Sequence, residues 1–421
     1  MKLGRDFLLF RAGQFISLLG DAFSAIALPW WILEQTGSAG QMAAVMVPAL
    51  TVKVVLLPLL GPLGDRFRRR DLAVAGDLWC GLVTLVLAAA AWSGHFSVGG
   101  VAVLYVFSSV GSALFMSVSA SIVPQLVPPA LVPEAVRQGQ AISVAGTIVG
   151  SLLGGAVVAA AGVTGALCVD AASFFAAGLA TYLIKADTTP ARGAAAPGLA
   201  AWAADVADGV RIVVKVPVLL WTAVIAGALN FFYMPVGIAL PYLVKEANGM
   251  QAWVLGAAQS AMSAGLLVGA LLSGKLCRRF FPDHVVFGGI ALLGAALAVS
   301  PHLAHPLALC AAFLAGGFGL MAGNIPVQAR RALAVPDAYR SRVESFYSFL
   351  RLLAAPAGVW TMGAVITGWG VAAALTLCGC AICAVALLLY AVPRFSYFFR
   401  LPEEKVGSFI AENYPGAVGG L

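Results

Sequence analysis

Charge is the scarcest component of this chain: of 421 residues, only 10% are Asp, Glu, Lys or Arg, against about 25% in a soluble globular protein. A water-facing surface cannot be assembled from so few charges, so most of the surface must meet lipid. Histidine is rarer still, with four residues, and the seven cysteines have no histidine near them at a zinc-binding spacing. Six of the cysteines (Cys80, Cys168, Cys310, Cys378, Cys380 and Cys383) fall inside apolar runs and read as small packing residues. No phosphate-cradling loop follows a strand-like run, and no nucleophile stands with a base, which argues against ATP-driven transport and enzymatic turnover. No metal or cofactor is expected. Ten-residue segments of alternating polarity, the mark of a membrane barrel, are also missing.

What the chain has is apolar length. Hydrophobic residues make up 61% of it, and the mean hydropathy is +0.95. Windows of about 20 apolar residues, each long enough to cross a ~30 Å hydrocarbon core, recur throughout. They predict an all-α membrane protein with twelve spans at 7–33, 41–63, 72–92, 99–122, 139–161, 163–184, 217–243, 253–274, 284–304, 306–327, 344–366 and 370–392. A cleavable signal peptide is not expected, because the first apolar stretch is too long for one and contains Asp21.

The placement of basic residues tests that count. With the N-terminus inside, 22 of the 25 lysines and arginines fall in cytoplasmic segments, Lys245 lies in an outer loop, and Lys53 and Arg351 lie within spans. The positive-inside rule fixes orientation from this bias, and an odd number of spans would scramble it. Both termini are therefore expected in the cytoplasm. The net charge of +7 reports topology in a bacterial inner membrane, and no nucleic-acid partner is needed to explain it.

The longest polar interruption separates six spans from six, which predicts an N-terminal half at 1–184, a linker at 185–216, a C-terminal half at 217–392 and a cytoplasmic tail at 393–421. Within the linker, 199–215 reads as an amphipathic helix on the membrane surface. The halves resemble each other. Ile26-Ala27-Leu28-Pro29-Trp30 recurs 212 residues later as Ile238-Ala239-Leu240-Pro241-Tyr242, while Gly150 and Gly155-Ala156-Val157 recur 208 residues later as Gly358 and Gly363-Ala364-Val365. Two matches in the right order point to an internal repeat of pseudo-symmetric six-helix halves, the arrangement of major facilitator transporters, with a substrate site near the midplane.

The loop after the second span reads Gly61-Pro62-Leu63-Gly64-Asp65-Arg66-Phe67-Arg68-Arg69-Arg70. It resembles the cytoplasmic signature of the major facilitator superfamily, G-x-L-x-D-R-x-G-R-R, with Arg68 where the pattern has glycine. The resemblance implies a gate of Gly61, Asp65, Arg66, Arg69 and Arg70, with Arg342 and Glu344 as partners at the start of span 11. In span 5, Gly146, Gly150, Gly154 and Gly155 resemble that superfamily's antiporter glycine motif, with Ser151 in place of proline. Physically they make a close helix-packing seam; export follows from the resemblance alone. The chain looks most like the drug-exporting branch that includes macrolide-efflux and siderophore-export proteins. The carrying stretches are Gly20-Asp21, Ala27-Leu28-Pro29, Gly37-Ser38-Ala39, Val169-Asp170-Ala171-Ala172-Ser173-Phe174 and Arg340-Ser341-Arg342-Val343. Many exporters of the superfamily carry an arginine in span 4; here Ser108, Ser112 and Ser119 occupy that span, and no Lys or Arg lies between Arg70 and Arg137.

Ionisable groups in the bilayer cost several kcal/mol unless paired or hydrated, so each is a functional candidate. Gln14, Ser17, Asp21 and Ser24 share one face of span 1. Asp21 reads either as the proton-coupling residue or as half of a structural ion pair, with Lys53 of span 2 at similar depth. Arg351 reads as an anion-facing group or as a link to the gate. Trp30, Tyr105, Ser108, Ser112, Asn230 and Tyr233 complete the candidate substrate contacts. Asp77 and Asp170 read as structural. The leading expectation is a monomeric, proton-coupled exporter of amphipathic small molecules such as antibiotics, working by alternating access. An exporter of an anionic siderophore or metabolite is the alternative, because Lys53 and Arg351 outnumber the central acid. An importer, a uniporter or a lipid-handling protein is the third reading.

Overall fold

The computed structural model describes residues 4–60, 67–128, 131–189, 210–247, 251–335 and 340–414. Its elements are α1 (Arg5–Thr36), α2 (Ala39–Leu60), α3 (Arg69–Trp92), α4 (Val98–Leu126), α5 (Val132–Tyr182), α6 (Pro217–Tyr233), α7 (Val236–Tyr242), α8 (Ala252–Arg279), α9 (Pro282–Val299), α10 (Pro306–Ala334), α11 (Arg340–Leu353) and α12 (Ala355–Leu388). The short helices α13 (Phe395–Arg400), α14 (Glu403–Val406) and α15 (Phe409–Asn413) follow. Without water, backbone polar groups must be satisfied within the segment, and an apolar run achieves this by coiling. Most of the expected amphipathic helix at 199–215 lies outside the described residues; 210–215 are helical.

Among the described residues, ten helical stretches are long and apolar enough to cross a membrane, which makes this an all-α, multi-spanning membrane protein. The difference from the twelve expected spans has a local cause. Two of the ten, Ala145–Tyr182 with 38 residues and Phe346–Ala391 with 46, far exceed the ~20 residues that one crossing needs. Each is interrupted by a glycine with non-helical backbone, Gly162 at φ 69°, ψ −176° and Gly370 at φ 84°, ψ 162°. Glycine adopts positive φ without a Cβ clash, and both breaks fall where the sequence separates one expected span from the next. The seventh expected span is also less regular than its hydropathy implies. Helix α6 stops at Tyr233, α7 follows, and Leu243–Ala247 widens into a π-helix. Pro235 and Pro241 each lack the N–H that a continuous ladder needs.

The chain divides into two compact units. One holds residues 1–196 with 238–260 and 366–368; the other holds 197–237, 261–365 and 369–421. In the first unit α1 and α3 pack on α5, and α2 and α3 pack on α4. One end of this bundle is sealed by Phe7, Phe10, Val118, Ile122 and Ile184. There the chain leaving α5 is clamped. Asp6 accepts from the backbone N–H groups of Lys185 (3.2 Å) and Ala186 (2.8 Å), Arg70 donates to the Ile184 carbonyl at 2.9 Å, and the Arg70 N–H donates to Thr188 Oγ1 at 3.1 Å. Thr189 donates through both hydroxyl and backbone N–H to Asp187, holding that carboxyl below its usual range.

In the second unit α9 packs on α10 and α6 on α11. The segment after α12 folds back onto the start of α9. The Arg400 guanidinium donates to both oxygens of Asp283 at 2.8–3.1 Å, and the Phe398 and Phe409 rings pack at a tilt with centroids 4.7 Å apart.

Candidate functional site

Helix α1 approaches α5 closely because of Gly20. A Cβ there would lie 2.0 Å from Ser173 Oγ and 2.6 Å from Asp170 Oδ1. One turn on, the Ser24 hydroxyl donates to Asp170 Oδ2, and Ser173 Oγ donates to the Asp170 carbonyl at 2.7 Å. Asp170 is only 2% exposed, so these hydroxyls supply what water would otherwise provide. Asp21, on the same helix, is exposed. Lys53 of α2, Asp77 of α3, Tyr105 of α4 and Asp170 of α5 all lie within electrostatic reach of it. Asp77 is 3% exposed, and its Oδ2 has no hydrogen-bond partner. Cys80, one turn further along α3, donates to the Ser108 carbonyl at 3.5 Å.

The first unit therefore gathers three carboxyl groups from α1, α3 and α5 and one amine from α2. Among the described residues no group of His, Cys, Asp and Glu is arranged to hold a metal ion. Asp77 and Asp170, read from the sequence as structural, both lie in the surroundings of Asp21. The signal was available, since spans 1, 3 and 6 each contain one acid. Other expected contacts are occupied locally. Gln14 accepts from Arg11, and Arg11 also donates to the Ala135 carbonyl at 3.1 Å. Trp30 lies under Lys245, whose Nζ is 4.9 Å from the ring centroid. Ser17, Ser108 and Ser112 are half-buried.

The glycine seam is built as its spacing implies. Gly146, Gly150 and Gly154 face α1, and Cβ atoms there would lie 3.1 Å from Leu18 Cβ, 2.7 Å from Ala22 Cβ and 3.0 Å from Phe23 Cδ1. Gly155 faces Gly256 of α8, and a Cβ at Gly155 would lie 3.0 Å from Gly256 Cα. Ser260 extends this contact by donating to the Ile148 carbonyl at 2.8 Å.

The expected gate is described only in part. Gly61, Asp65 and Arg66 lie outside the described residues, as do the side chains of Arg342 and Glu344. The Arg69 N–H donates to the Thr188 carbonyl at 3.3 Å, so Arg69 and Arg70 both belong to the clamp on 184–189. In the second unit Asn230 donates to the Ala226 carbonyl of its own helix at 2.8 Å, and Tyr233 and Arg351 are half-buried. The sequence did not reveal Arg331, buried against the Tyr347 ring at 3.7 Å, nor the Tyr347 hydroxyl donating to the Thr222 carbonyl at 3.2 Å.

This polytopic helical bundle holds ionisable groups inside its spans, and kinship with membrane transporters makes it a carrier, not an enzyme. The chain belongs to the Major Facilitator Superfamily, whose family model matches residues 12–237. It is 26% identical over 394 residues to the "Uncharacterized MFS-type transporter YfiS" of Bacillus subtilis, covering 90% of each chain. It is also 26% identical over 409 residues to the "Multidrug efflux pump Tap" of Mycobacterium tuberculosis, covering 92% of this chain and 93% of that one. Its fold matches that of a bacterial homologue of the iron transporter ferroportin with a TM-score of 0.70, at 16% identity, over 92% of this chain and 100% of that one. It is a multi-pass protein of a bacterial inner membrane, carries small molecules, and is related at low identity to multidrug efflux pumps.

Proposed function

We propose that this protein is a proton-coupled exporter of amphipathic small molecules, antibiotics among them, and that Asp21 couples proton movement to transport. One observation carries the reading: an exposed carboxyl in mid-span, within electrostatic reach of a lysine and two buried acids. Such an arrangement is costly in a membrane unless the charges are used. The Gly162 and Gly370 breaks support counting the two long stretches as two spans each, for twelve spans in two six-helix halves with both termini in the cytoplasm. Alternating access of those halves would expose the site to each side in turn. Kinship to a protein named as a multidrug efflux pump over nine-tenths of the chain supports export.

Lys53 is countered by Asp21 in the first unit, which favours neutral or cationic cargo over an anionic siderophore, reversing the balance that Lys53 and Arg351 imply in the sequence. The test uses proteoliposomes with an imposed pH gradient and two probes, erythromycin and tetraphenylphosphonium. Wild type is expected to accumulate both against their gradients, and Asp21→Asn to lose that drive. Unchanged gradient-driven transport in Asp21→Asn would remove Asp21 from the coupling role.

A further inference from the structure

Among the described residues of the first unit, Asp77 is a buried acid whose carboxyl is left short of a partner. Its carboxyl sits on α3, packed against α4 and α5, and is 3% exposed. Behind it the backbone approaches closely, since a Cβ at Gly178 of α5 would lie 3.4 Å from Asp77 Cβ. Its Oδ2 has no hydrogen-bond partner. The neighbouring buried acid, Asp170, has Ser24 and Ser173 around it. The other ionisable groups of this interior are Asp21 on α1, Lys53 on α2, Cys80 on α3 and Tyr105 on α4. Lys53 acts on Asp21, which leaves Asp77 facing other acids and two weakly acidic groups. An ionised carboxylate without donors in a dry interior is far costlier than a neutral carboxyl, and two ionised carboxylates in reach of one another repel.

We propose that Asp77 is a second proton-carrying residue of the transport cycle, sharing one proton with Asp21. In the described state the proton is on Asp77, and Asp21 is ionised, open and countered by Lys53. Binding of a cationic substrate at Asp21 leaves the proton stored on Asp77. When the substrate leaves, the Asp77 O–H bond breaks and an O–H bond forms on Asp21. The pair's charge stays at −1 through this transfer; exit of the proton from the exposed carboxyl takes it to −2, and uptake of one proton from the opposite side of the membrane, settling on Asp77, restores −1. Asp170, which accepts from the Ser24 hydroxyl, keeps α1 and α5 in register. This division of labour rests on the proton-coupled reading above.

Two measurements separate the inference from that reading. In proteoliposomes, gradient-driven erythromycin transport by Asp77→Asn is expected to fall by about tenfold or more, as for loss of a proton-transfer group, while erythromycin counterflow at equal pH persists. Gradient drive retained in Asp77→Asn overturns the inference and leaves the role of Asp21 standing; absence of drive in wild type overturns both. Should Asp77→Asn fail to fold, Asp77→Glu keeps the carboxyl and is expected to transport with a displaced pH profile, an unchanged profile counting against the proposal. Independently, infrared spectra of the substrate-free protein should show protonated-carboxyl absorption that shifts in deuterium oxide, loses the intensity of one carboxyl in Asp77→Asn and keeps it in Asp21→Asn. Unchanged intensity in Asp77→Asn places the proton elsewhere and overturns the assignment.

Discussion

The hydroxyl of Ser24 donates to the carboxylate of Asp170, joining α1 to α5 across 146 residues of sequence. The contact works because Gly20, one turn earlier, lets the helices approach. Ser24→Ala would leave a carboxylate that is 2% exposed short of one donor. The expected cost is about 1–3 kcal/mol, read as a lower melting temperature in detergent. Ser24→Thr, which keeps the hydroxyl, should recover much of it. A melting temperature unchanged in Ser24→Ala would mean the bond contributes nothing.

The seam between α5 and α8 gives a second expectation. A Cβ on Gly256 would lie 2.5 Å from the Ser151 carbonyl oxygen and 2.9 Å from Gly155 Cα. Backbone cannot move aside as a side chain can, so Gly256→Ala must part the helices at a cost of about 1–3 kcal/mol. Gly274 offers the control, with nothing within 4 Å of its Cβ position; Gly274→Ala should stabilise the helix, by about 0.5–1 kcal/mol. Equal melting temperatures for the two variants would contradict the close approach.

Much of this was legible beforehand, for physical reasons that particular residues illustrate. Gly37 ends α1 at φ 60°, its N–H donating to the Leu33 carbonyl at 2.8 Å. Glycine after an apolar run announces such a stop locally. Gly162 marks its break in the same way, and four-residue glycine spacing implies a close seam whatever helix lies opposite. The pairing of Ser24 with Asp170 could not be read, because hydropathy locates spans without saying which faces meet. Asp77 and Asp21 look alike in sequence as lone acids in apolar runs, and only the packing leaves one exposed and the other buried without a donor for Oδ2. Arg69 and Arg70 satisfy a gate motif and a positive-inside cluster equally well, so the clamp on 184–189 emerges only from coordinates.

Lys245, expected from the sequence in an outer loop, lies with its ammonium over the Trp30 ring at 4.9 Å. Cation–π pairs of this geometry contribute about 0.5–2 kcal/mol according to how dry they are. A double-mutant cycle with Trp30→Leu and Lys245→Gln isolates the pair from the other contacts of either residue. The expected coupling is about 1 kcal/mol, measured from thermal unfolding in detergent. Additive effects of the two substitutions would show that the contact carries no energy.

The Asp187 turn supplies a pH test outside the membrane. Hydrogen bonds from the Thr189 hydroxyl and backbone N–H hold its carboxyl below the ordinary value of 3.8. A carboxyl lowered in the folded state contributes stability that is present above its unfolded value and lost as pH falls through the folded one. Wild type should therefore exceed Asp187→Ala in melting temperature at pH 7, with the gap closing only at pH values below the usual carboxylate range. A gap independent of pH would assign the effect to packing.

Where the tail folds back, Arg400 donates to both carboxylate oxygens of Asp283 at 2.8–3.1 Å. Asp283 is 0% exposed at its side chain and Arg400 is 41% exposed. Arg400→Ala would leave the buried carboxylate with the Ser396 side chain and the His284 ring, the latter at 3.9 Å. Breaking a fully buried pair costs about 3–5 kcal/mol; the half-open guanidinium lowers the expectation to about 2 kcal/mol. The bond to Asp283 raises the guanidinium above its ordinary value. A cation raised in this way keeps its stabilising effect at every pH below its unfolded value and loses it only as pH climbs through the folded one. Alkaline titration to pH 10 should therefore leave the tail docked in wild type. Arg400→Lys, which lacks the planar fork that meets both oxygens, should recover only part of the lost stability. Limited proteolysis reads the outcome directly: tail cleavage after Phe399 should accelerate in Arg400→Ala relative to wild type at pH 7, and equal cleavage rates would show that the aromatic contacts of Phe398 and Phe409 hold the tail without the arginine.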